Sequence, residues 1–529
     1  MMRFLIHSPV SHFARELPEH PALSFNGQEM SYAALDAASN QLANALIENG
    51  MKKHERVGIF MHKSLELGVA IYGALKAGGV FVPLDPFLPV ERLQFILQDC
   101  QIEHLISTDK LAKQISELTN ASTLRVYGVS SETPFAQTDW RQIREFPTTA
   151  PDVSLIDQDL GYIMYTSGST GHPKGMMHTH HGSISYARWG AIHVDLTPAD
   201  RVASHAPLHF DLSIFDFFST AQAGATVVLV PEPVTKLPAS WTACIESERI
   251  SVVFTVPFTL IEMLQRGAMD KRDLSSLRWI LFGGEPFPPK HLRLLMRALP
   301  ETRFTNVYGP AEAPSCTCYD VPPLEDDADE PIPIGTVSLN SADLIIGEDD
   351  SECGIDEEGE LCIRSSTLTK GYWNRPDLNA RVFLRKDSFG PFPDVYFRTG
   401  DLVMRRADGQ LRFLGRKDRM VKTRGYRVEL DEVEAALASH DRVSEAAAFT
   451  IPDAHGSKAI FASVILHGKG DDATTAILQH ASNKIPAYAL PQHIEIVADF
   501  PRTSSGKIDR KRLADQQTET NGSRKPGQS

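Results

Sequence analysis

The sequence predicts an α/β protein with a large N-terminal domain of mainly parallel sheets flanked by helices and a small α+β domain at the C-terminal end. Its 529 residues exceed the roughly 250–300 that one core usually reaches, so at least two domains are expected. Short apolar strands alternate with amphipathic helices, which is typical of parallel sheets covered by helices. After about residue 415 this pattern changes to that of a smaller unit.

The elements of the large domain follow one another in a regular way. The segment YAALDAASNQLANALIENG has apolar residues at helical spacing and ends at Gly50. RVGIFM is a short apolar strand, and VFVPLDP is a strand stopped by prolines. Further buried strands are predicted at LRVYGV, ATVVLVP, ISVVFTV and LRWILFGGE, and helices at ERLQFILQDC and KHLRLLMRAL.

The C-terminal region has a shorter set of elements. RVEL, AIFASVIL and HIEIVA are predicted strands, and DEVEAALASH is a predicted helix with Asp431 as N-cap and Glu434 completing a variant capping box. The last residues, QQTETNGSRKPGQS, are polar and poor in apolar side chains, which indicates disorder. We therefore expect a large domain over residues 1–415, a small domain over 416–515 and a disordered tail over 516–529.

Composition excludes several classes of protein. Hydrophobic residues make up 42% and charged residues 23%, as in ordinary globular proteins. Lys plus Arg number 53 against 67 Asp plus Glu, a net charge of -14, so a nucleic-acid-binding face is not expected. No apolar stretch reaches the roughly 20 residues of a membrane span, and the N-terminus lacks the apolar core of a signal peptide. We expect a cytoplasmic protein with no membrane or nucleic-acid partner.

A loop rich in glycine and hydroxyl groups, YTSGSTGHPKGMMHTH at residues 165–180, is the first candidate site. It lacks the Walker A spacing, but glycines let backbone N–H groups turn toward an anion, while hydroxyls and a lysine add donors and charge. Alone, the pattern fits a flexible surface turn as well as a phosphate-binding loop. The candidate phosphate contacts are Thr166, Ser167, Gly168, Ser169, Thr170, Gly171 and Lys174.

Other motifs accompany this loop in a fixed order. They are LKAGGVFVPLDP (75–86), FDLSIFDFF (210–218), NVYGPAEAPS (306–315), GELCIR (359–364), TKGYWNRP (369–376), YFRTGDLV (396–403), GRKDRMVKTRGYRVEL (415–430) and PRTSSGKIDRKRL (501–513). Over about residues 10–515 the chain resembles the adenylate-forming superfamily, which includes amino-acid adenylation domains of nonribosomal peptide synthetases, acyl-CoA synthetases and luciferases. The first two motifs most resemble the amino-acid adenylation branch.

The resemblance implies a two-step reaction that uses ATP and magnesium. The glycine loop would hold the β and γ phosphates of ATP while a carboxylate attacks the α phosphate. Pyrophosphate leaves, and the acyl adenylate carries AMP, a good leaving group. A thiol then displaces AMP and forms a thioester.

The resemblance also assigns roles to individual residues. Lys507 would bridge the substrate carboxylate and the α phosphate, which offsets the repulsion between two anions. Asp401 would accept hydrogen bonds from the ribose, Tyr308 would offer an aromatic face to adenine, and Glu312 would bind magnesium. The further nucleotide contacts are Arg416, Gly283, Gly284, Asn306 and Gly309. Ala311 departs from the threonine that is usual in the family, so contact with the α phosphate should be weaker.

A mobile small domain is the other implied feature. Asp418 matches the hinge position, about which the small domain would rotate between the two half-reactions. One orientation would present Lys507 for adenylation, and the other would admit the thiol.

Asp211 indicates the class of acid. It matches the position that pairs with the substrate ammonium, although it could instead cap a helix. The remaining pocket residues implied by family position are Leu212, Phe215, Thr255, Leu281, Gly283, Val307, Ser315 and Cys316. None of these is charged, so we predict a neutral, small-to-medium amino acid, with proline or alanine first; β-amino acids stay open.

Two rival functions remain at this point. A carboxylic acid–CoA ligase shares almost every motif, but Asp211 disfavours it. A non-catalytic nucleotide-binding protein has only Ala311 in its support, and a luciferase-type step after adenylation stays open. Since the chain ends soon after Lys507 without a carrier segment, we expect a free-standing ligase that loads a separate phosphopantetheinylated carrier protein.

Overall fold

The computed structural model describes residues 4–118, 123–130, 133, 135–168, 172–327, 330–338, 340–453, 458–467, 473–502 and 508–523. The chain divides into two compact units. The larger unit spans Met1–Pro86, Ile96–Tyr165 and Gly175–Lys417. The smaller unit spans Phe87–Phe95, Thr166–Lys174 and Asp418–Ser529, so it includes most of the glycine loop.

Strands account for the frame of both units. The first are β1 (Pro21–Phe25), β2 (Gln28–Ser31), β3 (Arg56–Phe60), β4 (Val80–Leu84), β5 (His104–Ile106), β6 (Arg125–Tyr127), β7 (Ala136–Thr138), β8 (Leu160–Thr166), β9 (Lys174–Thr179), β10 (Arg201–Ser204), β11 (Thr226–Leu229), β12 (Val252–Thr255) and β13 (Trp279–Gly283). The others are β14 (Arg303–Tyr308), β15 (Thr317–Asp320), β16 (Thr336–Val337), β17 (Ser341–Ile346), β18 (Glu358–Ser365), β19 (Phe383–Phe389), β20 (Phe392–Arg405), β21 (Leu411–Arg416), β22 (Met420–Thr423), β23 (Tyr426–Glu429), β24 (Val443–Pro452), β25 (Lys458–Leu466) and β26 (His493–Ile496).

Helices connect most of these strands. The first are α1 (Ser8–Glu16), α2 (Tyr32–Glu48), α3 (Leu65–Lys76), α4 (Val90–Asp99), α5 (Ala112–Ser116), α6 (Trp140–Ile143), α7 (His180–His193), α8 (Leu212–Ile214) and α9 (Thr220–Ala223). The others are α10 (Glu232–Thr235), α11 (Pro238–Ser247), α12 (Pro257–Arg266), α13 (Pro289–Ala298), α14 (Pro376–Val382), α15 (Leu430–Ala438), α16 (Thr474–Ser482) and α17 (Arg510–Ser523). Within the described residues, none of these helices has the length and apolar composition needed to cross a membrane.

Two large sheets dominate the larger unit. One has the strand order β16-β15-β14-β13-β12-β10-β11-β1-β2, and the other has the order β7-β6-β5-β3-β4-β8-β9. The pairs β1–β11, β11–β10, β10–β12, β12–β13 and β13–β14 are parallel, as are the pairs from β7 to β8. One apolar cluster takes Val57 and Phe81 from one sheet and Val227 and Phe254 from the other, so both sheets share a core.

A third sheet completes the larger unit, and the smaller unit has sheets of its own. Strands β17, β18, β20, β19 and β21 form an antiparallel sheet. In the smaller unit β22 pairs with β23, and β24, β25 and β26 form a second sheet. Val433, Ile460 and Ile477 lie in the buried cluster between this sheet and its helices. This α/β and α+β arrangement confirms the predicted fold class.

Two local predictions near the C-terminus were wrong. Helix α15 has Glu429 at its N-cap with no side-chain cap bond, so Asp431 is not the cap. Asp431 and Glu434 instead form ion pairs with Arg419, and Glu434 also binds Arg510. The tail was expected to be disordered from residue 516, but helix α17 continues to Ser523, and Leu513 and Gln517 on this helix are buried. The rest of the tail lies outside the described residues.

Candidate active site

The glycine loop joins β8 to β9, and its two ends are described. A Cβ atom on Gly168 would lie 2.1 Å from the carbonyl oxygen of His172, so the chain approaches itself where only glycine fits. The His172 ring stacks on Phe95 with their centroids 5.0 Å apart. Ser167 Oγ donates to the backbone oxygen of Arg427 at 2.9 Å, within the smaller unit. The predicted phosphate contacts Ser169, Thr170 and Gly171 lie outside the described residues.

Three predicted nucleotide residues meet at the carboxylate of Asp401. Tyr308 Oη donates to Asp401 Oδ2 at 2.5 Å, and Arg416 Nη1 donates to Oδ1 at 2.5 Å. Asp401 and Arg416 face each other because they are paired in the register of β20 and β21. Within β20, the Asp401 backbone N–H donates to Thr399 Oγ1 at 3.0 Å. Burial and the nearby Asp401 raise the pKa of Tyr308 well above its ordinary value, so the phenol remains a donor.

Asn306 and Gly309 flank this group on and just after β14. Asn306 Nδ2 donates to the backbone oxygen of Pro333 at 2.8 Å. A Cβ atom on Gly309 would lie 2.4 Å from the backbone nitrogen of Ser315, so the turn after Tyr308 is folded too tightly for a larger residue. The backbone that follows the tyrosine is therefore held close to the predicted substrate residues.

Glu312 is a fully buried carboxylate. Tyr372 Oη donates to its Oε1 at 2.5 Å, and its backbone oxygen accepts from Thr369 N at 2.8 Å. Burial lowers the pKa of the neighbouring His178 to about 4, although Glu312 and a bond with the Ala311 backbone act to raise it, so this histidine is neutral. A hard cation such as Mg²⁺ suits a carboxylate oxygen.

The donor set around Glu312 fits a magnesium ion that arrives with phosphate. Among the described residues, no group of three His, Cys, Asp or Glu side chains is placed to hold a metal. Mg²⁺ in phosphate-transfer sites usually takes one or two carboxylates and obtains its remaining ligands from phosphate and water. One buried carboxylate is therefore compatible with this ion, and a cage built entirely from protein is not present in the described part of the chain.

Asp211 does not cap a helix by its side chain. It has helical dihedral angles, φ -60° and ψ -25°, and makes no cap hydrogen bond to α8. Burial raises the pKa values of Tyr162 and Tyr186, and the Asp211 charge raises both further, so the carboxylate lies near both phenols. Tyr186 also hydrogen-bonds the Ser315 side chain. Asp211 and Ser315 thus lie around one buried tyrosine.

An apolar wall lies beside Asp211. One buried cluster contains the predicted pocket residues Phe215, Leu281 and Val307, and the partly buried Leu212 packs against it. Phe254 extends this wall, because its ring meets the Phe215 ring edge-on with the centroids 5.5 Å apart. Phe254, which received no role from the sequence, therefore belongs to the same apolar wall.

The other predicted pocket positions differ in placement. Gly283 pairs with Val307 across β13 and β14, and Cys316 Sγ donates to the backbone oxygen of Tyr308 at 3.5 Å. Thr255 pairs with Phe282, one residue out of phase with Leu281. Because side chains alternate along a strand, Thr255 and Leu281 lie on opposite faces of the sheet. The Thr255 hydroxyl lies 3.3 Å from His205 Nδ1 and is not brought to the apolar wall.

A buried aspartic acid and a buried lysine lie near the predicted pocket residue Phe215. Asp216 is fully buried in the π-helical turn Phe215–Ser219, and Lys63 Nζ donates to the backbone oxygens of Ser204 and His205 at 2.6 and 2.9 Å. Burial lowers the pKa of Lys63 to about 8, against the opposing effect of Asp216, and burial raises the pKa of Asp216 well above its ordinary value. Asp216 inside the apolar run FDLSIFDFF was the sequence signal for this buried acid, and it received no role from the sequence.

Three predicted site residues lie outside the groups described so far. Gly284 follows β13 with φ +90°, a conformation that favours glycine. Asp418 is the first residue of the last segment of the smaller unit, and its Oδ1 accepts from Met420 N at 3.2 Å. Lys507 lies outside the described residues, so its role stays a prediction.

Comparison with known proteins places these features in a family. Residues 10–373 match the family described as AMP-binding enzyme, and residues 432–507 match the AMP-binding enzyme C-terminal domain. An L-proline--[L-prolyl-carrier protein] ligase of Pseudomonas fluorescens is 34% identical over 97% of this chain and 99% of its own length. Tyrocidine synthase 1 of Brevibacillus parabrevis is 32% identical over 96% of this chain. The matched region is only 44% of the length of that synthase.

A solved structure agrees with the fold. The Vibrio cholerae adenylation domain AlmE, in complex with glycyl-adenosine-5'-phosphate, superposes with a TM-score of 0.85 at 23% identity, covering 98% of both chains. The family match spans the glycine loop, the pocket strands and the Glu312 turn. The predicted membership of the adenylate-forming superfamily is confirmed: this chain belongs to the family of AMP-binding enzymes.

Proposed function

We propose that this enzyme is an AMP-forming ligase that activates a neutral amino acid as its aminoacyl adenylate. The observation that carries this proposal is Asp211, a carboxylate that lies beside buried phenols and an apolar wall and makes no helix-cap bond. A carboxylate in such half-buried surroundings forms a strong charge-assisted hydrogen bond with a cationic donor. The ammonium group of an amino acid is such a donor, and a simple fatty acid has none.

The nucleotide half of the site would work through Asp401, Tyr308 and Arg416. The Asp401 carboxylate accepts from the other two residues, and ribose hydroxyls are donors of the same kind. Lys174 in the glycine loop and Lys507 would meet the phosphates and the substrate carboxylate. These cations offset the repulsion between two anions during attack on the α phosphate.

Glu312 would hold the magnesium ion that accompanies ATP. Bound magnesium neutralises phosphate charge and polarises the phosphate oxygens. Tyr372 donates to the same carboxylate and thereby fixes its rotamer before the metal arrives. Ala311 lacks the hydroxyl usual at its position, so the α phosphate would depend more on Lys507.

Proline is the first candidate substrate. The prolyl-carrier ligase that is 34% identical to this chain acts on proline, as its name states. The apolar wall of Phe215, Phe254 and Leu281 suits an aliphatic side chain, and the pocket positions besides Asp211 carry no charge. Alanine and small β-amino acids are the next members of the test panel.

A separate phosphopantetheinylated carrier protein would receive the activated acid. The same relative transfers to a carrier protein by name, and this chain covers 99% of its length. We further propose that residues 416–515 act as a mobile lid that turns about Asp418 between adenylation and thioester formation. The reaction would occur in the cytoplasm, where ATP is present, as one step of a nonribosomal, secondary-metabolite type of synthesis.

Amino-acid-dependent exchange between ATP and pyrophosphate tests the first step. A panel of neutral, charged and β-amino acids should give exchange with proline or another small neutral member and none with charged ones. Carrier loading then tests the second step, with CoA as the competing acceptor. If none of the amino acids in the panel supports exchange, the proposal is contradicted. If thioester forms faster on CoA than on every carrier, the chain is assigned to the CoA ligases.

A further inference from the structure

A wide groove lies in the larger unit. It encloses about 1160 Å³ and is lined by the start of α7, the end of β18, α14, β19 and β20. Small-molecule sites usually measure about 300–1,000 Å³, so the groove has room for a segment of protein chain. Thr369, which lines it, donates its backbone N–H to Glu312. The groove therefore adjoins the active site without containing its catalytic residues.

The charge of the groove is opposite to that of the whole chain. Its lining includes Arg364, Lys370, Arg381, Arg385 and Arg398. Among the described residues that line it there is no aspartate or glutamate. The chain as a whole has 67 acidic residues against 53 basic ones, so an excess of cations at one place calls for an explanation.

Three of these cations form no ion pair with any other residue that the structure describes. Arg364 pairs with Asp394 at 2.8 Å, and Arg398 pairs with Asp350 and Glu360. Lys370, Arg381 and Arg385 are exposed and form no ion pair within the described part of the chain. Solvated cations that face one concave surface create a positive potential that attracts an acidic partner.

The groove also carries apolar surface between the cations. Leu368, Phe383, Leu384 and Val395 belong to its lining. A partner made only of phosphate would leave these side chains unused, whereas an amphipathic protein segment would cover them. Aromatic and aliphatic side chains in a concave surface are the usual anchors of a docked peptide or helix.

We propose that this groove docks an acidic, amphipathic segment of the carrier protein that receives the activated acid. The inference rests on the proposed function, because it needs a carrier as the second substrate. Carboxylates of the segment would pair with Lys370, Arg381 and Arg385, and its apolar side chains would cover Phe383 and Leu384. Charge complementarity of this kind acts mainly on the rate of encounter and on partner choice.

Charge reversal at two groove positions tests the proposal. The variant Arg381→Glu/Arg385→Glu is compared with Lys290→Glu/Arg412→Glu, which makes the same change in net charge at exposed positions outside the groove. ATP–pyrophosphate exchange and aminoacyl transfer to free pantetheine are measured first, and both should stay within about twofold of wild type in both variants. The KM for the phosphopantetheinylated carrier should rise by at least about tenfold in the groove variant only.

A neutral variant and a binding assay keep the result decisive. Arg381→Gln/Arg385→Gln should give a KM for the carrier between those of wild type and the charge-reversed variant. It replaces the charge-reversed variant if circular dichroism shows that the latter does not fold. Wild type should bind a fluorescent peptide of alternating Glu and Leu, with affinity that falls as salt rises, and the groove variant should lose this binding. Equal carrier KM values in the groove and control variants would overturn the proposal.

The remaining outcomes separate this inference from the function on which it rests. If wild type supports exchange but acylates no carrier, the proposed second step fails and the docking proposal fails with it. If carriers are acylated normally by the groove variant while that variant loses binding to a single-stranded DNA oligonucleotide, the groove belongs to nucleic acid. Either result overturns the docking of a carrier segment.

Discussion

Replacing Asp211 by asparagine should convert a selective amino-acid site into one that ignores the amine. The substitution keeps the side chain's size and removes its charge, so the apolar wall of Phe215, Leu281 and Val307 is preserved. The phenols of Tyr162 and Tyr186, whose pKa values the Asp211 charge raises, remain as neutral neighbours. Only the attraction for an ammonium group is lost.

The size of the effect follows from the kind of bond removed. A hydrogen bond to a charged group contributes about 1.5–3 kcal/mol, and about 1.4 kcal/mol corresponds to tenfold in affinity. The KM for the preferred amino acid should therefore rise by about 10- to 150-fold. The affinity for ATP should change by less than about twofold, because Asp401, Arg416 and Tyr308 form a separate group.

The decisive assay compares the amino acid with the same acid lacking its amino group. Asp211→Asn should lower kcat/KM for the amino acid and leave that for the amine-free acid unchanged or higher. Asp195→Asn, at an exposed position, is the matched control and should change neither value. A parallel fall for both acids in a folded Asp211→Asn protein would refute the pairing and leave Asp211 a structural residue.

Three further predictions concern other parts of the chain. Lys507→Ala should abolish most adenylation while ATP binding, measured by calorimetry, stays largely intact, and near-normal adenylate formation would contradict its role. Asp418→Pro restricts a backbone dihedral at the hinge, so pyrophosphate release should persist while carrier loading fails; equal loss of both in a folded protein would argue against two orientations. Burial lowers the pKa of His205 to about 3, so between pH 3 and 6.5 the unfolded chain binds one more proton there, and the free energy of unfolding falls as pH falls. His205→Gln should reduce this slope by about 1.4 kcal/mol per pH unit in urea titrations, and an unchanged slope would refute the assignment.

The sequence predicted elements better than it predicted contacts. Apolar periodicity located α2, α13 and the strands β3, β4, β6, β11, β12 and β13, because buried faces determine these patterns directly. Asp431 and Glu434 of α15 were predicted to have a capping role that they do not have. Both side chains instead form ion pairs with Arg419, which lies outside this helix. A local capping pattern and a tertiary ion pair use the same residue types, and only the folded chain distinguishes them.

In the candidate site, too, recognised motifs were predicted better than the contacts between distant residues. The predicted nucleotide residues Tyr308, Asp401 and Arg416 do meet in the structure. They could be predicted because each lies in a motif that is recognisable by its order along the chain. Tyr372 was in a recognised motif but received no role, since its bond to Glu312 joins residues 60 positions apart. The choice between Phe254 and Thr255 depends on the phase of one strand, which family position alone does not fix.

The glycine at position 283 limits how this enzyme could be redesigned. A Cβ atom there would lie 2.2 Å from the backbone oxygen of Val307, and a backbone atom cannot rotate out of the way. Even alanine would have to push β13 and β14 apart, so libraries that seek new substrates should leave this position alone. Variation at Phe254 and Leu281 alters the volume of the same wall through side chains, which makes these two positions the practical route to altered selectivity.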